Sequence, residues 1–205
     1  MTKHDLDRKM HKRRTQIEAL LLAAGRSSRF GEDKLLVEMT IKDKKCPLID
    51  HVLHNWLQVF ERVTLLVRAD HVELHHYLKS SSNALRIRLA ESQNAQLGMG
   101  HSIALGVKST IYSDGWVIGL ADMPFIPVNV IEAVYLALMN GSEIALPVRD
   151  KQRGHPVGFS KQYQQQLLSL TGDSGARSIV TKNLASVTRV PTQRCKDDPL
   201  ATVQN

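Results

Sequence analysis

The chain has 205 residues, of which 42% are hydrophobic and 5% aromatic, and its formal net charge is +7. This length and apolar content suit one domain with its own core, and no apolar run reaches the length of a membrane span. The scarcity of aromatic rings excludes a stacking platform for single-stranded nucleic acid. The two cysteines, Cys46 and Cys195, form no Cys-x-x-Cys motif and indicate a reducing compartment.

The positive charge is concentrated at the start of the chain. Residues 1–14 hold six Lys or Arg side chains and two Asp side chains. This pattern is typical of a mobile, solvated tail, although it would also suit an acidic partner or a nucleic acid. We predict a basic flexible arm over residues 1–15 and a single domain over residues 16–205. Because the first residues lack an apolar signal core, we expect a cytoplasmic protein. The basic balance suits small substrates that carry phosphate, so we expect neither a membrane nor a nucleic-acid partner.

Strand-like and helix-like patterns alternate along the rest of the chain. Continuous apolar runs predict strands covered on both faces at residues 17–21, 63–67 and 116–120. Further strands are predicted at residues 85–89, 144–148 and 157–159. Helices are predicted to begin at Pro47, Gly98, Pro127 and Gly172. This alternation predicts a three-layer α/β fold, with a mostly parallel sheet and helices on both faces.

The first predicted strand leads into a loop of small and cationic residues. Its sequence is Leu22-Ala23-Ala24-Gly25-Arg26-Ser27-Ser28-Arg29-Phe30-Gly31-Glu32-Asp33-Lys34. Small residues let a backbone approach a ligand, and successive free N–H groups bind anions. Arg29 and Lys34 add full positive charge, so the loop is predicted to hold phosphates. The spacing of Gly25 and Gly31 excludes a Walker A motif, and the loop has no Gly-x-Gly-x-x-Gly fingerprint.

A carboxylate follows another predicted strand. Asp122 comes two residues after the apolar run 116–120. Because ligands of open α/β sheets bind beyond the carboxyl ends of strands, one cleft is predicted to hold both Asp122 and the Gly25 loop. A carboxylate there needs a partner, a hydrogen-bond network or a metal, and a cap or turn aspartate is the structural alternative.

Segments that combine glycine with polar side chains recur later in the chain. They are Gly98-Met99-Gly100-His101-Ser102, Arg153-Gly154-His155-Pro156 and Gly172-Asp173-Ser174-Gly175-Ala176-Arg177. Ser102 offers a hydroxyl to a ribose or phosphate, and Asp173 is a candidate helix cap. An ordinary turn or helix junction is the alternative for each segment, and Arg177 also fits a surface arginine.

Two of the nine histidines, His71 and His75, are four residues apart. Their pattern is His-x-Glu-x-His, which differs from the His-Glu-x-x-His pattern of metalloproteases. We therefore expect these side chains to face solvent.

Taken in order, these segments resemble the signatures of nucleotidyltransferases. The loop is similar to the pattern Leu-Ala-(Ala/Gly)-Gly-x-Ser-x-Arg-(Met/Phe)-Gly-x-x-Lys, and the resemblance is closest to the molybdenum cofactor cytidylyltransferase family. The later matching segments are residues 98–102, 120–124, 154–157 and 172–177. Together the matches span residues 17 to about 180, and their common order makes the resemblance specific.

The resemblance implies a Rossmann-like, nucleotide-diphospho-sugar-transferase-like fold. It also implies Mg²⁺-dependent transfer of CMP from CTP to the terminal phosphate of molybdenum-bound molybdopterin, with release of pyrophosphate. Arg29, Lys34 and Asp122 would be catalytic, and Asp122 would be the metal ligand. The implied nucleotide-binding residues are Leu22, Ala23, Ala24, Gly25, Ser27, Arg29, Lys34, Gly98 and Ser102. The implied acceptor-binding residues are His155, Pro156, Asp173 and Arg177. The implied partners are CTP, the molybdenum cofactor and a molybdenum hydroxylase apoprotein.

The chain departs from the family pattern near its end. Family members carry an Asp-x-Asp-Thr-Pro-x-Asp segment that supplies a second acidic residue to the metal. Here either Asp197 or Asp198 substitutes, or the second ligand is missing. A non-catalytic protein that binds or delivers the cofactor is therefore one alternative. A guanylyltransferase of the same superfamily is another, although such enzymes carry Leu-Ala-Gly-Gly, and the methyl group of Ala24 narrows the site in favour of a pyrimidine.

Overall fold

The computed structural model describes residues 15–25, 34–93, 98–149, 152–173 and 175–191. The strands are β1 Ile17–Leu22, β2 Glu38–Ile41, β3 Lys44–Pro47, β4 Val63–Arg68, β5 Ile87–Ser92, β6 Gly115–Leu120, β7 Ile144–Arg149, β8 Gln152–Arg153, β9 Val157–Ser160 and β10 Val187–Pro191. The α-helices are α1 Leu48–Trp56, α2 Val72–Ser80, α3 Met99–Ser109, α4 Val128–Met139, α5 Gln164–Leu168 and α6 Arg177–Lys182. Short 3-10 helices cover Ala84–Arg86, Lys161–Tyr163 and Leu184–Ser186. The predicted basic arm lies almost wholly outside the described residues.

The main sheet is mostly parallel, as the sequence predicts. Its strands lie in the order β10-β7-β9-β6-β1-β4-β5, and β8 pairs with β7. The pairs β1–β4, β1–β6, β4–β5 and β7–β10 are parallel. Strand β9 runs antiparallel to both of its neighbours, β6 and β7. The carboxyl ends of the parallel strands and the start of β9 therefore meet at one edge of the sheet.

Each face of this sheet is covered by its own apolar cluster. Alternate side chains of β1 show the division: Ala19 and Leu21 pack on the face that carries α1, α2 and α4, whereas Leu20 packs on the face that carries α3, α5 and α6. Side chains of a strand alternate between faces, so a strand that is apolar at consecutive positions must be covered twice. The three-layer arrangement is thus confirmed.

The strand predicted at residues 85–89 needs correction. Residues 84–86 form a 3-10 turn in which Leu85 is 92% exposed, so the strand begins at Ile87 and continues to Ser92. This strand lies at one edge of the sheet, where one of its sides has no strand partner in the described chain. An edge strand is less enclosed, so fewer of its side chains need to be apolar. The hairpin of β2 and β3 carries exposed charged residues and gave no apolar periodicity to predict it.

The prediction that His75 faces solvent is wrong. The side chain is buried, its Nε2 lies 2.9 Å from the carbonyl oxygen of Arg68, and its Nδ1 lies 3.4 Å from Oε1 of Glu91. Because a carbonyl only accepts hydrogen bonds, Nε2 is the donor. The imidazole ring of His75 thus links α2 to Arg68 at the end of β4 and to Glu91 near the end of β5.

None of the helices in the described part of the chain combines the length and apolar character that crossing a bilayer requires.

Gly119 in β6 is where the sheet packs most tightly on a helix. A Cβ atom at this position would overlap the indole ring of Trp56, which is buried in α1. We therefore expect Gly119→Ala to lower the free energy of unfolding by about 1–3 kcal/mol, the usual cost of forcing extra volume into a packed core. Urea unfolding measures the change.

Gly154→Ala is the matched control, because its Cβ would meet Pro147 Cγ at an ordinary 3.4 Å. Equal unfolding midpoints for the two variants would show that β6 can move away from α1.

Candidate functional site

The ends of β1 and β6 place two of the predicted segments side by side. Leu22 lies opposite Leu120 in the parallel register of these strands. Beyond the last pair, the Ala121 N–H still donates to the Leu22 carbonyl at 3.0 Å, and the Ala23 N–H donates to the Leu66 carbonyl at 2.9 Å. The residues leading to Gly25 and to Asp122 therefore leave the sheet as neighbours. This is the shared edge that the strand pattern predicts.

An ion pair connects the two segments. Lys34 Nζ lies 3.0 Å from Asp122 Oδ2, and the side chains are 46% and 45% exposed. The residue after Lys34 is anchored, because Leu35 is buried and its carbonyl accepts the Ile49 N–H at the start of α1. The carboxylate of Asp122 is thus neither deeply buried nor unpartnered, and its partner is one of the two cations that sequence singles out.

A side chain that sequence analysis missed holds the Asp122 segment. Asn55 Nδ2 donates to the carbonyl of Ile126 at 3.1 Å and to that of Pro124 at 3.4 Å. Asn55 lies in α1 beside the buried Trp56. The only sequence signal for this contact is a polar residue beside the apolar face of a helix, and that signal does not predict which carbonyl groups accept the hydrogen bonds.

His155 reaches the same edge because β9 is antiparallel. Val157 pairs with Ile118 near the end of β6, so the His155–Pro156 peptide, which is cis, lies next to the Asp122 segment. His155 Nδ1 is buried and has no hydrogen-bond partner among the described residues. Burial lowers the pKa of His155 below its ordinary value, and the negative charge of Asp122 opposes this shift. The ring is therefore neutral at pH 7.

The segments at 98–102 and 171–173 are interlocked. Gly98 has a φ of 103°, and a Cβ there would lie 2.5 Å from both Asp173 Oδ1 and the Gly172 carbonyl oxygen. The Gly100 N–H donates to the Gly172 carbonyl at 2.8 Å, and the Gly172 N–H donates to Nδ1 of His101 at 3.3 Å. Only glycine fits at Gly98, for both conformational and steric reasons. The structure thus joins a predicted nucleotide segment to a predicted acceptor segment.

Two side chains of these segments differ from their predicted settings. Ser102 is 2% exposed within α3, so its hydroxyl is not presented at the surface. Asp173 does not cap a helix, because α6 begins at Arg177 after Ala176 and has no side-chain cap. Positive φ angles at Gly172 and Gly175 place a turn between Asp173 and the helix. Asp173 and Arg177 are both exposed.

Several predicted site residues lie outside the described residues. Ser27 and Arg29 belong to the segment 26–33, and Asp197 and Asp198 belong to the segment 192–205. Within the described ranges, no group of three or more His, Cys, Asp or Glu side chains is arranged to hold a metal ion. Asp122 is a half-exposed single carboxylate. A donor set of this kind fits Mg²⁺, which binds through one or two carboxylates together with substrate phosphates.

A family profile, described as MobA-like NTP transferase domain, matches residues 19–187. The chain belongs to this family. It is therefore a member of a nucleotidyltransferase family. A sequence comparison with curated proteins gives no match.

Solved structures share the fold of this MobA-like chain. Rv0371c from Mycobacterium tuberculosis H37Rv has a TM-score of 0.72 at 22% identity, over 88% of this chain and 90% of that one. A structure of the same protein in complex with manganese has a TM-score of 0.69 at 21% identity, with 88% and 90% covered. CMP:2-keto-3-deoxy-manno-octonic acid synthetase in complex with CTP gives 0.63 at 14% identity, with 91% and 95% covered. The predicted Rossmann-like, nucleotide-diphospho-sugar-transferase-like fold is confirmed.

The neutral state of His155 predicts a pH dependence of stability. The pKa of His155 in the folded protein lies below the ordinary value of 6.5, so the unfolded chain takes up the proton first as the pH falls. The stability from this site is complete above pH 6.5 and is lost as the pH falls from that value through the lower, folded pKa. We expect His155→Gln to lose less stability between pH 7 and pH 5 than the parent chain, as measured by urea unfolding.

His76→Gln is the control, because His76 is exposed on α2, and it should follow the parent at both pH values. Identical pH dependence in the parent and His155→Gln would contradict the burial argument.

Proposed function

We propose that the protein transfers CMP from CTP to the terminal phosphate of molybdenum-bound molybdopterin, with Mg²⁺ as the metal and pyrophosphate as the leaving product. The observation that carries the proposal is the pairing of Lys34 with Asp122 beside the end of β1. This pairing puts a carboxylate for a divalent metal and an ammonium for a phosphate at one edge of the sheet. The manganese complex of Rv0371c and the CTP complex of the synthetase support the metal and the nucleotide.

The chemistry is a direct in-line displacement. An oxygen of the acceptor phosphate forms a bond to the α-phosphorus of CTP, and the bond from that phosphorus to the bridging oxygen of the β-phosphate breaks. The electron pair leaves with pyrophosphate. Because the attacking phosphate is already ionised, no general base is required, and positioning and charge neutralisation lower the barrier. Arg29 and Lys34 neutralise the triphosphate, and the metal held by Asp122 would neutralise its oxygens further.

Lys34 would exchange partners as the nucleotide binds. In the protein alone its ammonium neutralises Asp122 at 3.0 Å. With the triphosphate bound, the Lys34 ammonium would pair with a phosphate, and the Asp122 carboxylate would hold the divalent metal that neutralises the phosphate oxygens. Neither charge is left without a counter-charge at either stage. An exposed ion pair contributes at most about 1 kcal/mol, so the exchange costs little.

The acceptor would lie on the β9 side of Asp122. His155 is neutral, so its ring can donate a hydrogen bond to a phosphate without adding charge, and Pro156 shapes the turn that carries it. Asp173, which lies beside Gly98, and Arg177, the first residue of α6, are both exposed and would bind the acceptor. The recipient of the product would be a molybdenum hydroxylase apoprotein. We also propose the arm at 1–15 and the single domain at 16–205 as the organisation of the chain.

The nucleotide would be CTP because Ala24 stands where guanylyltransferases carry glycine. Leu22, Ala23 and Gly25 would contact it by their backbone, and Gly98 would approach it just before α3, whose buried Ser102 supports this end of the helix. We expect CTP to raise the melting temperature more than GTP, and Ala24→Gly to move the preference toward GTP by about tenfold, since one methyl group in a pocket has roughly that effect. Thermal-shift titration with all four NTPs measures the order.

Ala84→Gly controls for the added backbone freedom, because Ala84 lies in the 3-10 turn before β5, at the opposite edge of the sheet. Equal or stronger stabilisation of the parent by GTP would overturn the cytidylyl assignment and favour another NTP transferase of the same family.

Asp122→Asn tests the metal. The amide keeps the shape but removes the charge, so metal-dependent turnover should fall by about 10²–10³, as when one preorganised group is removed from other active sites. Binding of CTP without metal should persist, because Arg29 and Lys34 remain. The measurement is pyrophosphate release against Mg²⁺ and Mn²⁺ concentration, with purified molybdenum cofactor.

Lys34→Gln is the matched comparison, because it removes the other member of the ion pair. It should weaken CTP binding even without metal, while turnover still depends on Mg²⁺. If Asp122→Asn keeps the metal dependence of the parent, Asp122 is not a ligand and a non-catalytic cofactor-binding role gains support.

A further inference from the structure

A pocket of about 320 Å³ lies on the β10 side of the sheet. With the exception of Arg153, its lining residues belong to none of the segments that the family resemblance assigns to the nucleotide, the metal or the acceptor. The lining residues are Leu146, Val148, Arg153, Leu184, Val187 and Arg189.

Strand register explains why these side chains converge. Arg153 of β8 lies opposite Val148 of β7, and Arg189 of β10 lies opposite Leu146. Residues directly opposite each other on paired strands point to the same face of a sheet. The two arginines therefore flank β7 on one face, which is the face that carries α5 and α6.

The lining of this pocket combines apolar side chains with two arginines. Leu146 is buried and Val148 and Val187 are half-buried, so the floor is apolar. Both Arg153 and Arg189 are exposed, and neither guanidinium group has a hydrogen-bond or ion-pair partner among the described residues. A guanidinium binds phosphate or carboxylate through two parallel hydrogen bonds, and its plane stacks on flat rings. The pocket thus suits a flat heterocycle with hydrogen-bond acceptors on its rim.

The turn after β8 connects the pocket lining to the candidate site along the chain. Arg153 ends β8, and the next residues lead through His155 to β9 beside β6. The Gly154 N–H donates to the Pro147 carbonyl at 2.9 Å and fixes this turn on β7. From β6 to β10 there are three steps between neighbouring strands, or about 14 Å at the usual spacing. A ligand along this edge would touch both places.

We propose that this pocket binds the flat pterin of the acceptor, and that the guanidinium groups of Arg153 and Arg189 stack on the ring or donate hydrogen bonds to its carbonyl oxygen and ring nitrogens from opposite sides of β7. The assignment rests on the proposed function, in which the acceptor is a pterin that ends in a phosphate. The phosphate would then point along the edge toward His155 and Asp122. The two arginines become acceptor-specificity residues with no part in nucleotide binding.

The experiment measures binding of a pterin phosphate, whose own fluorescence reports the bound fraction, to the full chain. Arg153→Gln and Arg189→Gln should each weaken its binding about tenfold, as expected for the loss of one charge-assisted contact. Arg153→Lys and Arg189→Lys keep the charge without the planar fork and should give smaller losses. Arg62→Gln is the matched control, since Arg62 is exposed just before β4, at the opposite edge of the sheet. Stabilisation by CTP should stay unchanged in all five variants, which also shows that they are folded.

Failure of the pocket and failure of the proposed function give different results. Equal affinity in the parent and both Gln variants, or no binding to the parent, overturns the pocket assignment, whatever nucleotide is used. Complete displacement by inorganic phosphate at the same concentration also overturns it, because the ring would then contribute nothing. Weaker pterin phosphate binding in the Gln variants, together with no CMP transfer by the parent, supports the pocket and refutes the proposed reaction.

Discussion

The hydrogen bonds between β1 and β6 are the constraint on which the rest of the site depends. They are parallel and in a register that sets Leu22 opposite Leu120, so both strands end at the same level. Just past their carboxyl ends, the Ala121 N–H donates one more hydrogen bond to the Leu22 carbonyl before the two segments diverge. The Gly25 and Asp122 segments are thereby fixed to the most buried part of the sheet. Polar chemistry can sit at this edge because the apolar strands behind it hold the two segments in place.

Electrostatic balance is the second organising feature of the edge. The ammonium of Lys34 and the carboxylate of Asp122 neutralise each other while both stay half exposed. Full exposure would leave the pair screened by water, and full burial would carry a large desolvation cost. Partial exposure leaves both groups accessible to new partners. In the proposed reaction this allows the same two groups to receive a metal and a triphosphate without large rearrangement.

The antiparallel direction of β9 brings the His155 turn to the same edge of the sheet as Asp122. A parallel strand there would have put the His155 turn at the far edge of the sheet, away from Asp122. The contact between Gly98 and residues 172–173 positions the α3 side of the site, and only a residue without a side chain allows it. The candidate site is thus bounded by the turn before β9 on one side and by the contact of residue 98 with residues 172–173 on the other. The direction of β9 positions the first, and the absence of a side chain at Gly98 allows the second.

The sequence by itself determined the buried strands and the fold class. Continuous apolar runs at 17–21, 63–67 and 116–120 report burial on both faces, and this signal is local. Only the tertiary structure decided that Lys34 meets Asp122 across 88 residues, that His75 is buried, and that Arg153 and Arg189 flank one pocket. The physical reason is that strand order and direction are set by hydrogen bonds between distant segments, and side-chain periodicity within a segment does not encode them. Exposed strands with charged residues, such as β2, β3 and β8, are harder still to predict from sequence. Their hydrogen bonds to a partner strand hold them in place, and they bury few apolar side chains that a sequence pattern could reveal.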